Sequence, residues 1–431
     1  MEEYQKEDYR LLLCSDEIEF YNEYTNLLNL GYNPIKPLHL SILLNKDSDN
    51  VLLSYELKDN IDLIKLDNFN NEYKITKPGI ISIINSIKKN YNNDYQLDED
   101  ELAIYNELFD KSYDNVILLI LDGLGSNVLA KNVANDSFLV KHKIKDIEAP
   151  FPSTTAAALT TIKSGLLPIE SGWTGWHNYF KELNRSIILF NGIDYYTKEP
   201  TMVTGYDKMP YKMFYEELSV NGYSIEPDFK NSKGNINEVL SISKKYLKHN
   251  GKQIQYVYWT NPDGIMHEYG TYSDEAKICL LDINKKLEKY INCLPKNTLL
   301  IITADHGHTP VKPIRLYECK GLMNTLERLP QNDARCVSFK IKDGMEDLFN
   351  KYFMLFEGIY CKINKEEAYN YLGYKYASRV NERIDDFIGD CLAVTSNDYY
   401  FMFKDDDFIM KSHHAGNSID EMVVPLIVFR S

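Results

Sequence analysis

Carboxylate and imidazole side chains recur in this chain at spacings typical of metal ligands. Asp263 and His267 lie four residues apart in Asp263-Gly-Ile-Met-His267, Asp305 and His306 are adjacent, and Asp122 follows another apolar run. Such side chains bind Zn²⁺ and other divalent cations. Each pattern alone has an ordinary explanation, because Asp-Gly forms turns and an Asp and a His four apart can pair on a helix. Their recurrence in a chain with 9 His favours a metal site.

A cluster of hydroxyl side chains supplies a candidate nucleophile. Ser153, Thr154 and Thr155 follow Pro152 and precede an alanine-rich run that stops at Gly165. This pattern predicts a helix that begins at the hydroxyls and ends at the glycine. The hydroxyls then have two roles open to them. They can cap the helix, or one of them can act as a nucleophile where the helix N-terminus favours an anion.

Three predicted strands must position these groups. Ile254–Trp259 alternates and is rich in aromatic residues, whereas Val116–Leu121 and Thr298–Thr303 are continuous apolar runs typical of strands buried on both faces. Each strand is followed by one of the candidate carboxylates. Because open α/β sheets carry their sites at the carboxyl ends of parallel strands, we expect an α/β fold with the ligands at one edge.

The motifs resemble the type I phosphodiesterase and nucleotide pyrophosphatase family of the alkaline phosphatase superfamily. The resemblance covers roughly Lys77 to Phe429 and includes weaker similarity at Ala334-Arg335-Cys336 and Gly172–Trp176. The family's nucleophile motif is matched at Phe151, Pro152, Ser153, Thr155, Gly165, Pro168 and Gly172. It implies an alkaline-phosphatase-like three-layer α/β/α sandwich with a mostly parallel central sheet and inserted cap segments. It also implies Thr155 as the nucleophile, with Thr154 as the alternative.

The resemblance further implies two divalent ions. One would be held by Asp122, Thr155, Asp305 and His306, and the other by Asp263, His267 and His414. His414 is assigned from its place before the last predicted strand, Val423 to Phe429, although the chain has Ala415 where relatives usually have Gly. Zn²⁺ suits these oxygen and nitrogen ligands, and Mn²⁺ or Fe²⁺ is also compatible with them.

Three further residues are candidates for contact with the substrate. Asn178, in the segment from Trp173 to Tyr179, is a possible hydrogen-bond donor to a phosphoryl oxygen, and His177 is a weaker one. His308 would touch the substrate or a metal ligand. For each of the three, local packing is the alternative interpretation.

These assignments predict a metal-dependent hydrolase of phosphate esters. The first expectation is a phosphodiesterase or nucleotide pyrophosphatase that forms a covalent phosphothreonine intermediate at a two-metal site. The alternative is a phosphomonoesterase acting on a small metabolite. A metal-binding pseudoenzyme without activity fits less well, because every expected ligand is present.

Composition narrows the possible partners. A net charge of −15 over 431 residues disfavours long nucleic acids, which need basic surface, but small phosphoesters or nucleotides remain suitable. The absence of an apolar, basic N-terminus and of a membrane-length apolar run predicts a cytoplasmic protein without a membrane partner. The 7 Cys, without close pairs, suit a reducing compartment.

We predict an N-terminal extension at 1–76 that packs on a catalytic domain at 77–431, with cap insertions at about 173–251 and 312–412.

Overall fold

The computed structural model describes residues 76–228 and 234–431, and before them the backbone of four strands. These strands form an antiparallel sheet with the order β1-β2-β4-β3. They are β1 (Glu2–Lys6), β2 (Tyr9–Cys14), β3 (Asn33–Pro34) and β4 (Val51–Glu56). The predicted packing of the N-terminal extension on the core lies outside the described residues.

A six-stranded sheet with the order β6-β20-β11-β5-β10-β9 forms the centre of the molecule. Its members are β5 (Asn115–Leu121), β6 (Lys143–Glu148), β9 (Asn221–Ile225), β10 (Gln253–Trp259), β11 (Thr298–Thr303) and β20 (Val423–Arg430). The four strands β11, β5, β10 and β9 are parallel, and β20 is antiparallel to its two neighbours. Every residue of β5, β10 and β11 is buried, which explains their apolar character and confirms the three predicted strands.

Helices pack on this sheet and complete the predicted three-layer sandwich. The helices are α1 (Gly79–Tyr91), α2 (Glu99–Leu108), α3 (Ser126–Asn132), α4 (Phe138–Lys141), α5 (Thr155–Ser164), α6 (Pro168–Ser171), α7 (Gly205–Lys208), α8 (Asn237–Tyr246), α9 (Asp263–Tyr269) and α10 (Asp274–Ile291), followed by α11 (Lys320–Asn324), α12 (Glu346–Phe353), α13 (Lys365–Tyr371), α14 (Ile384–Ile388) and α15 (Ile419–Met422). Apolar residues of α1, α5 and α10 join the main core. Within the described ranges, no helix is both long and apolar enough to cross a membrane.

A second six-stranded sheet is built from both predicted cap segments. Its order is β16-β17-β15-β14-β7-β8, and all of its strand pairs are antiparallel. The strands are β7 (His177–Phe180), β8 (Arg185–Ile188), β14 (Gln331–Asp333), β15 (Cys336–Phe339), β16 (Cys361–Asn364) and β17 (Cys391–Val394). The register that pairs Asn332 with His177 joins the two segments.

The first cap segment ends earlier than the predicted boundary near residue 251. Strand β9 pairs in parallel with β10, so Asn221–Ile225 and the helix Asn237–Tyr246 belong to the central sandwich. The short sequence of β9 lacks a continuous apolar run, because it lies at the edge of the sheet and several of its residues are exposed. Two small pairs complete the fold: β12 (Thr309–Pro310) with β19 (Ser412–His413), and β13 (Lys312–Arg315) with β18 (Tyr399–Met402).

Candidate metal centre

The carboxyl ends of three neighbouring parallel strands bring the predicted ligands together. Asp122 follows β5, Asp263 begins α9 after β10, and Asp305 follows β11. The backbone N–H of Asp263 donates to the carbonyl of Asp122 at 3.1 Å. Gly123 has φ of +73°, and a Cβ added there would lie 3.1 Å from the Cα of Asp263. A glycine therefore lets the ends of β5 and β10 approach closely enough to form one site.

Asp122, Asp305 and His306 form the first ligand set. Their ligand atoms lie within 4.8 Å of one another, and all three residues are buried. His306 Nε2 lies 3.4 Å from Asp122 Oδ1 and 3.5 Å from Asp305 Oδ2. Those two carboxylate oxygens have no hydrogen-bond partner among the described residues. Burial, together with repulsion from Asp305 and Asp263, raises the pKa of Asp122 well above its usual range.

Asp263, His267, His308 and His414 form the second set, again with ligand atoms within 4.8 Å of one another. Asp263 Oδ1 lies 3.3 Å from His267 Nε2, 2.9 Å from His308 Nε2 and 3.6 Å from His414 Nε2. Although burial opposes ionisation, the charge and hydrogen bond of His267 and the bond from His308 hold the pKa of Asp263 well below its usual range.

Backbone carbonyls orient three of the imidazoles. The Nδ1 atom of His267 contacts the carbonyl of Ser412 at 2.9 Å, and that of His306 contacts the carbonyl of Gly307 at 2.9 Å. His414 Nδ1 contacts the carbonyl of Ser153 at 3.1 Å. Because a carbonyl can only accept a hydrogen bond, Nδ1 carries the proton in each case. The lone pair of Nε2 is then directed into the ligand set, as in many metal sites.

The donor sets fit divalent cations. Two ligand atoms about 2.1 Å from a tetrahedral ion are separated by roughly 3.4 Å. The separations of His306 from Asp122 and Asp305, and of Asp263 from His267 and His414, are 3.3–3.6 Å. The 2.9 Å contact of His308 with Asp263 is instead a hydrogen-bond distance. In this geometry His308 orients a ligand and is not itself spaced as one.

The hydroxyl cluster begins helix α5, as predicted, and Gly165 ends the helix with φ of +74°. Ser153 donates to the carbonyl of Gly416 at 2.8 Å, and Thr154 donates to Asp333 Oδ2 at 2.7 Å. Thr155 Oγ1 instead lies 3.1 Å from His306 Nε2, and the residue lines the neighbouring cavity. The Thr155 hydroxyl is therefore the member of the cluster that is placed beside the first ligand set and open to a substrate.

A cavity of about 330 Å³ opens onto the second ligand set and onto Thr155, which contacts His306 of the first set. Four lining residues belong to the nucleophile and the second ligand set: Thr155, Asp263, His267 and His414. The other lining residues, many of them aromatic, are Trp176, His177, Tyr195, Asn332, Asp333, Ala334, Tyr400, Phe401, Phe403, Asp407, Phe408, Met410 and His413. No Lys or Arg lines this cavity in the described part of the chain. Its size and mixed lining are typical of a small-molecule site.

The structure shows that His177 and Asn178, two adjacent candidates for substrate contact, have different surroundings. His177 lines the cavity, stacks on Tyr195 with a centroid distance of 3.9 Å, and leaves Nε2 without a partner among the described residues. The amide nitrogen of Asn178 points elsewhere and donates to Thr174 at 2.9 Å and to Asn332 at 3.0 Å. Adjacent residues of strand β7 face opposite sides, so His177 and not Asn178 reaches the substrate cavity.

Sequence reasoning missed Asp333 and His413 as residues of the cavity wall. Burial raises the pKa of Asp333 to about 6. Its carboxylate accepts hydrogen bonds from Thr154 and, at 2.9 Å, from the backbone N–H of Ala334. Nothing in the local sequence marks Asp333, because only the pairing of the second sheet brings it to the site. His413 was recognised only as the neighbour of the predicted ligand His414.

A buried ion pair holds the loop that carries His414. Arg335 Nε and Nη2 donate to the two carboxylate oxygens of Glu421 at 2.6 and 2.7 Å, and both side chains are fully buried. Glu421 also accepts from the backbone N–H groups of Gly416 and Ser418. The Glu421 carboxylate thus links Arg335 to the loop at 413–418, and Arg335 Nη1 also donates to the carbonyls of Asn397 and Tyr399, so the pair holds the loop that carries His414.

Comparisons with known proteins identify the family and the fold. The family model described as type I phosphodiesterase / nucleotide pyrophosphatase matches residues 116–418. A segment of 172 residues is 28% identical to ectonucleotide pyrophosphatase/phosphodiesterase family member 5 of Homo sapiens. That segment covers 38% of this chain and 34% of the human protein, so the match spans about a third of that relative's length.

Solved structures with the same fold include murine ectonucleotide pyrophosphatase / phosphodiesterase 5, with a TM-score of 0.56 and 17% identity over 73% of this chain and 88% of that chain. Phosphonoacetate hydrolase from Sinorhizobium meliloti 1021, in complex with phosphonoacetate, has a TM-score of 0.55 and 15% identity over 75% of this chain and 92% of that chain. At these identities the structural likeness concerns the fold alone.

Proposed function

We propose that the chain, which belongs to the type I phosphodiesterase / nucleotide pyrophosphatase family, is a phosphoester hydrolase. It would cleave phosphodiester or pyrophosphate bonds of small nucleotides with Thr155 as its nucleophile. One observation carries this proposal. The Thr155 hydroxyl lies 3.1 Å from His306 Nε2 of the first ligand set, and Thr155 lines the cavity together with Asp263, His267 and His414 of the second set. A substrate phosphorus in that cavity would be within reach of the hydroxyl.

Two divalent ions, with Zn²⁺ as the first expectation, are part of the proposal. Asp122, Asp305 and His306 with Thr155 would hold one ion, and Asp263, His267 and His414 would hold the other. When bound, such ions lower the pKa of a hydroxyl group and stabilise negative charge on the attacking and departing oxygens. The partnerless oxygens of Asp122 and Asp305 support the first site. The three carbonyl-oriented imidazoles support both sites.

The residues of the chain then have distinct roles. Thr155 Oγ1 gives its proton to solvent water and attacks phosphorus, while the bond to the departing oxygen breaks and that oxygen leaves with the electron pair. The product is a phosphothreonine, which keeps the remaining ester group when the substrate is a diester. Water then attacks the same phosphorus and releases Thr155. Helix α5 assists, because its N-terminal dipole favours the negative charge that develops beside Thr155.

The cavity wall supports a nucleotide as the substrate. Tyr195, Phe403 and Trp176 offer aromatic surface for a base, and His177 Nε2 offers a polar contact. A volume of about 330 Å³ suits one nucleotide and not a long polymer. An inactive variant of the murine relative has been solved in complex with AMP. We propose the same class of ligand for this chain, with the base against the aromatic wall.

Hydrolysis of bis(nitrophenyl) phosphate and nitrophenyl phosphate by zinc-loaded protein tests the proposal. We expect preference for the diester, loss of at least a hundredfold in turnover with Thr155→Ala, and unchanged zinc binding on the other ligands. Thr161→Ala, a buried threonine of the same helix, is the matched control and should keep activity.

Each result of this test has a clear meaning. Preference for the monoester would keep the site but make the protein a phosphomonoesterase. Full activity of Thr155→Ala would move the nucleophile to another group. Mass spectrometry of acid-quenched wild type should detect the covalent adduct on the peptide that contains Thr155, and an adduct on another peptide would contradict the assignment.

A further inference from the structure

His413 presents a hydrogen-bond donor to the cavity, and a backbone hydrogen bond sets the tautomer of its ring. The backbone N–H of His414 donates to His413 Nδ1 at 2.8 Å. Because a backbone N–H can only donate, Nδ1 must be unprotonated, and the neutral ring carries its proton on Nε2. His413 is buried and lines the cavity.

The His413 ring lies beside the Asp263 ligand set. Its neighbours are His267, with ring centroids 5.1 Å apart, and His414, at 5.2 Å, both of which belong to the Asp263 set. Tyr400, at 5.4 Å, packs on it from the cavity wall. The strand pairing of Thr309 with His413 fixes the backbone behind the ring. Thr155, in contrast, contacts His306 of the other set.

The direction from which Thr155 attacks phosphorus indicates that His413 lies near the departing group. In an in-line displacement the attacking and leaving oxygens lie on opposite sides of phosphorus, and the two halves of a two-metal site stabilise one oxygen each. Thr155 attacks from the Asp122 half, so the departing oxygen is expected at the Asp263 half. His413 borders that half but is not a member of either ligand set among the described residues.

We propose that His413 Nε2–H donates a hydrogen bond to an oxygen of the departing group, which is an alcohol, phenol or phosphate according to the ester cleaved. This role would make His413 a catalytic residue, and it rests on the proposed phosphoester hydrolysis at Thr155. The hydrogen bond strengthens as the bond to phosphorus breaks, because negative charge accumulates on the oxygen that accepts it.

A series of phosphodiesters that differ only in the basicity of the departing group tests the role. We expect His413→Phe to lower kcat/KM by about 10- to 100-fold for alkyl leaving groups, and by about threefold or less for nitrophenol. His413→Gln, whose amide nitrogen can occupy a similar place, should keep the leaving-group dependence of the wild type. His249→Phe, at an exposed histidine paired with Tyr223, is the control.

Two readouts do not depend on turnover. Zinc content of His413→Phe should match that of the wild type. Two-dimensional spectra of ¹⁵N-histidine-labelled wild type should contain the signal of a neutral, Nε2-protonated ring that disappears in His413→Gln, while the signal of His308 stays. An equal loss of kcat/KM for every leaving group, or a loss of zinc, would overturn the proposal in favour of a structural or metal-binding role. Protonation of His413 at Nδ1 would overturn it even if the Phe variant failed to fold.

The proposal and its premise can fail separately. A wild-type protein that cleaves none of the esters would refute the proposed function and this role with it. Active wild type together with an unaltered His413→Phe would refute the role of His413 alone.

Discussion

Asp305→Asn should stabilise the protein when metal is absent and destabilise it relative to wild type when metal is present. Asp122 and Asp305 are buried side by side, and the facing oxygens of the two carboxylates have no partner among the described residues. Asp305 Oδ1 accepts from the backbone N–H groups of Gly123 and His306, both at 3.1 Å. An Asn side chain can keep both bonds through its own Oδ1, so the substitution removes mainly the charge.

The size of the effect follows from the separation of the two carboxylates. Their ligand atoms lie within 4.8 Å of each other. At an effective dielectric constant of about 20, two unit charges at that distance repel by about 3.5 kcal/mol. Partial protonation relieves some of this repulsion, because burial raises the pKa of both groups. We therefore expect Asp305→Asn to raise the free energy of unfolding of metal-free protein by about 1–3 kcal/mol.

Urea unfolding at pH 8, with chelator and then with saturating zinc, measures both parts of the prediction. An ion at a thousand times its dissociation constant should stabilise the wild type by about 4.1 kcal/mol. The variant lacks one ligand and should gain less, so the order of stability should reverse. Asp136→Asn, at an exposed carboxylate, serves as the control for charge removal alone.

Two results would refute this reasoning. If Asp305→Asn were less stable than wild type in chelator, the facing carboxylates would not repel each other as the structure indicates. If zinc stabilised the variant and the wild type equally, the ion would bind elsewhere.

Three further predictions concern the surroundings of the site. Glu421→Gln leaves the buried charge of Arg335 without its counter-ion, so urea unfolding should show a loss of about 3–5 kcal/mol, and elemental analysis should show less bound zinc. Ala415 has φ of +83°, so Ala415→Gly should stabilise the protein by about 1 kcal/mol, measured by thermal unfolding. Burial, followed by repulsion from Lys404, lowers the pKa of His177 from 6.5 to about 3. As pH falls, His177 is protonated in the unfolded state before it is protonated in the folded state. Its contribution to the free energy of unfolding is therefore complete above pH 6.5 and declines below it by about 1.4 kcal/mol per pH unit. His177→Phe should lack that decline in urea midpoints compared at pH 7 and pH 5.

The elements that carry the ligands were predictable because their physical requirements are local. A parallel strand buried on both faces must be apolar along its length, so Val116–Leu121 and Thr298–Thr303 were recognisable without knowledge of their partners. The helix at Thr155 was equally local, since its hydroxyl start and glycine end lie within eleven residues of each other. The cytoplasmic location remains a prediction.

The direction of single side chains in the cap was not predictable. His177 and Asn178 are adjacent in a strand, so choosing the one that faces the cavity requires the strand's register. The register is set by pairing with Asn332, which lies more than 150 residues later in the chain. The hydrogen bond between Asp333 and Thr154 spans 179 residues of the chain, and the one from His308 to Asp263 spans 45. Sequence spacing carries no information about such pairs.

The two halves of the metal centre are held in place by different means, and this difference explains the buried ion pair. Asp122, Asp305 and His306 directly follow neighbouring strands of the central sheet, whose ladder already positions them. His414 lies in a loop before α15, where no ladder is available, and the Arg335–Glu421 pair holds that loop instead. A buried ion pair adds little stability compared with apolar packing, so its value here is positional. Because Arg335 follows Asp333 at the end of β14, the same connection that places the proposed ligand His414 also places the cavity wall, and loosening either one should disturb both.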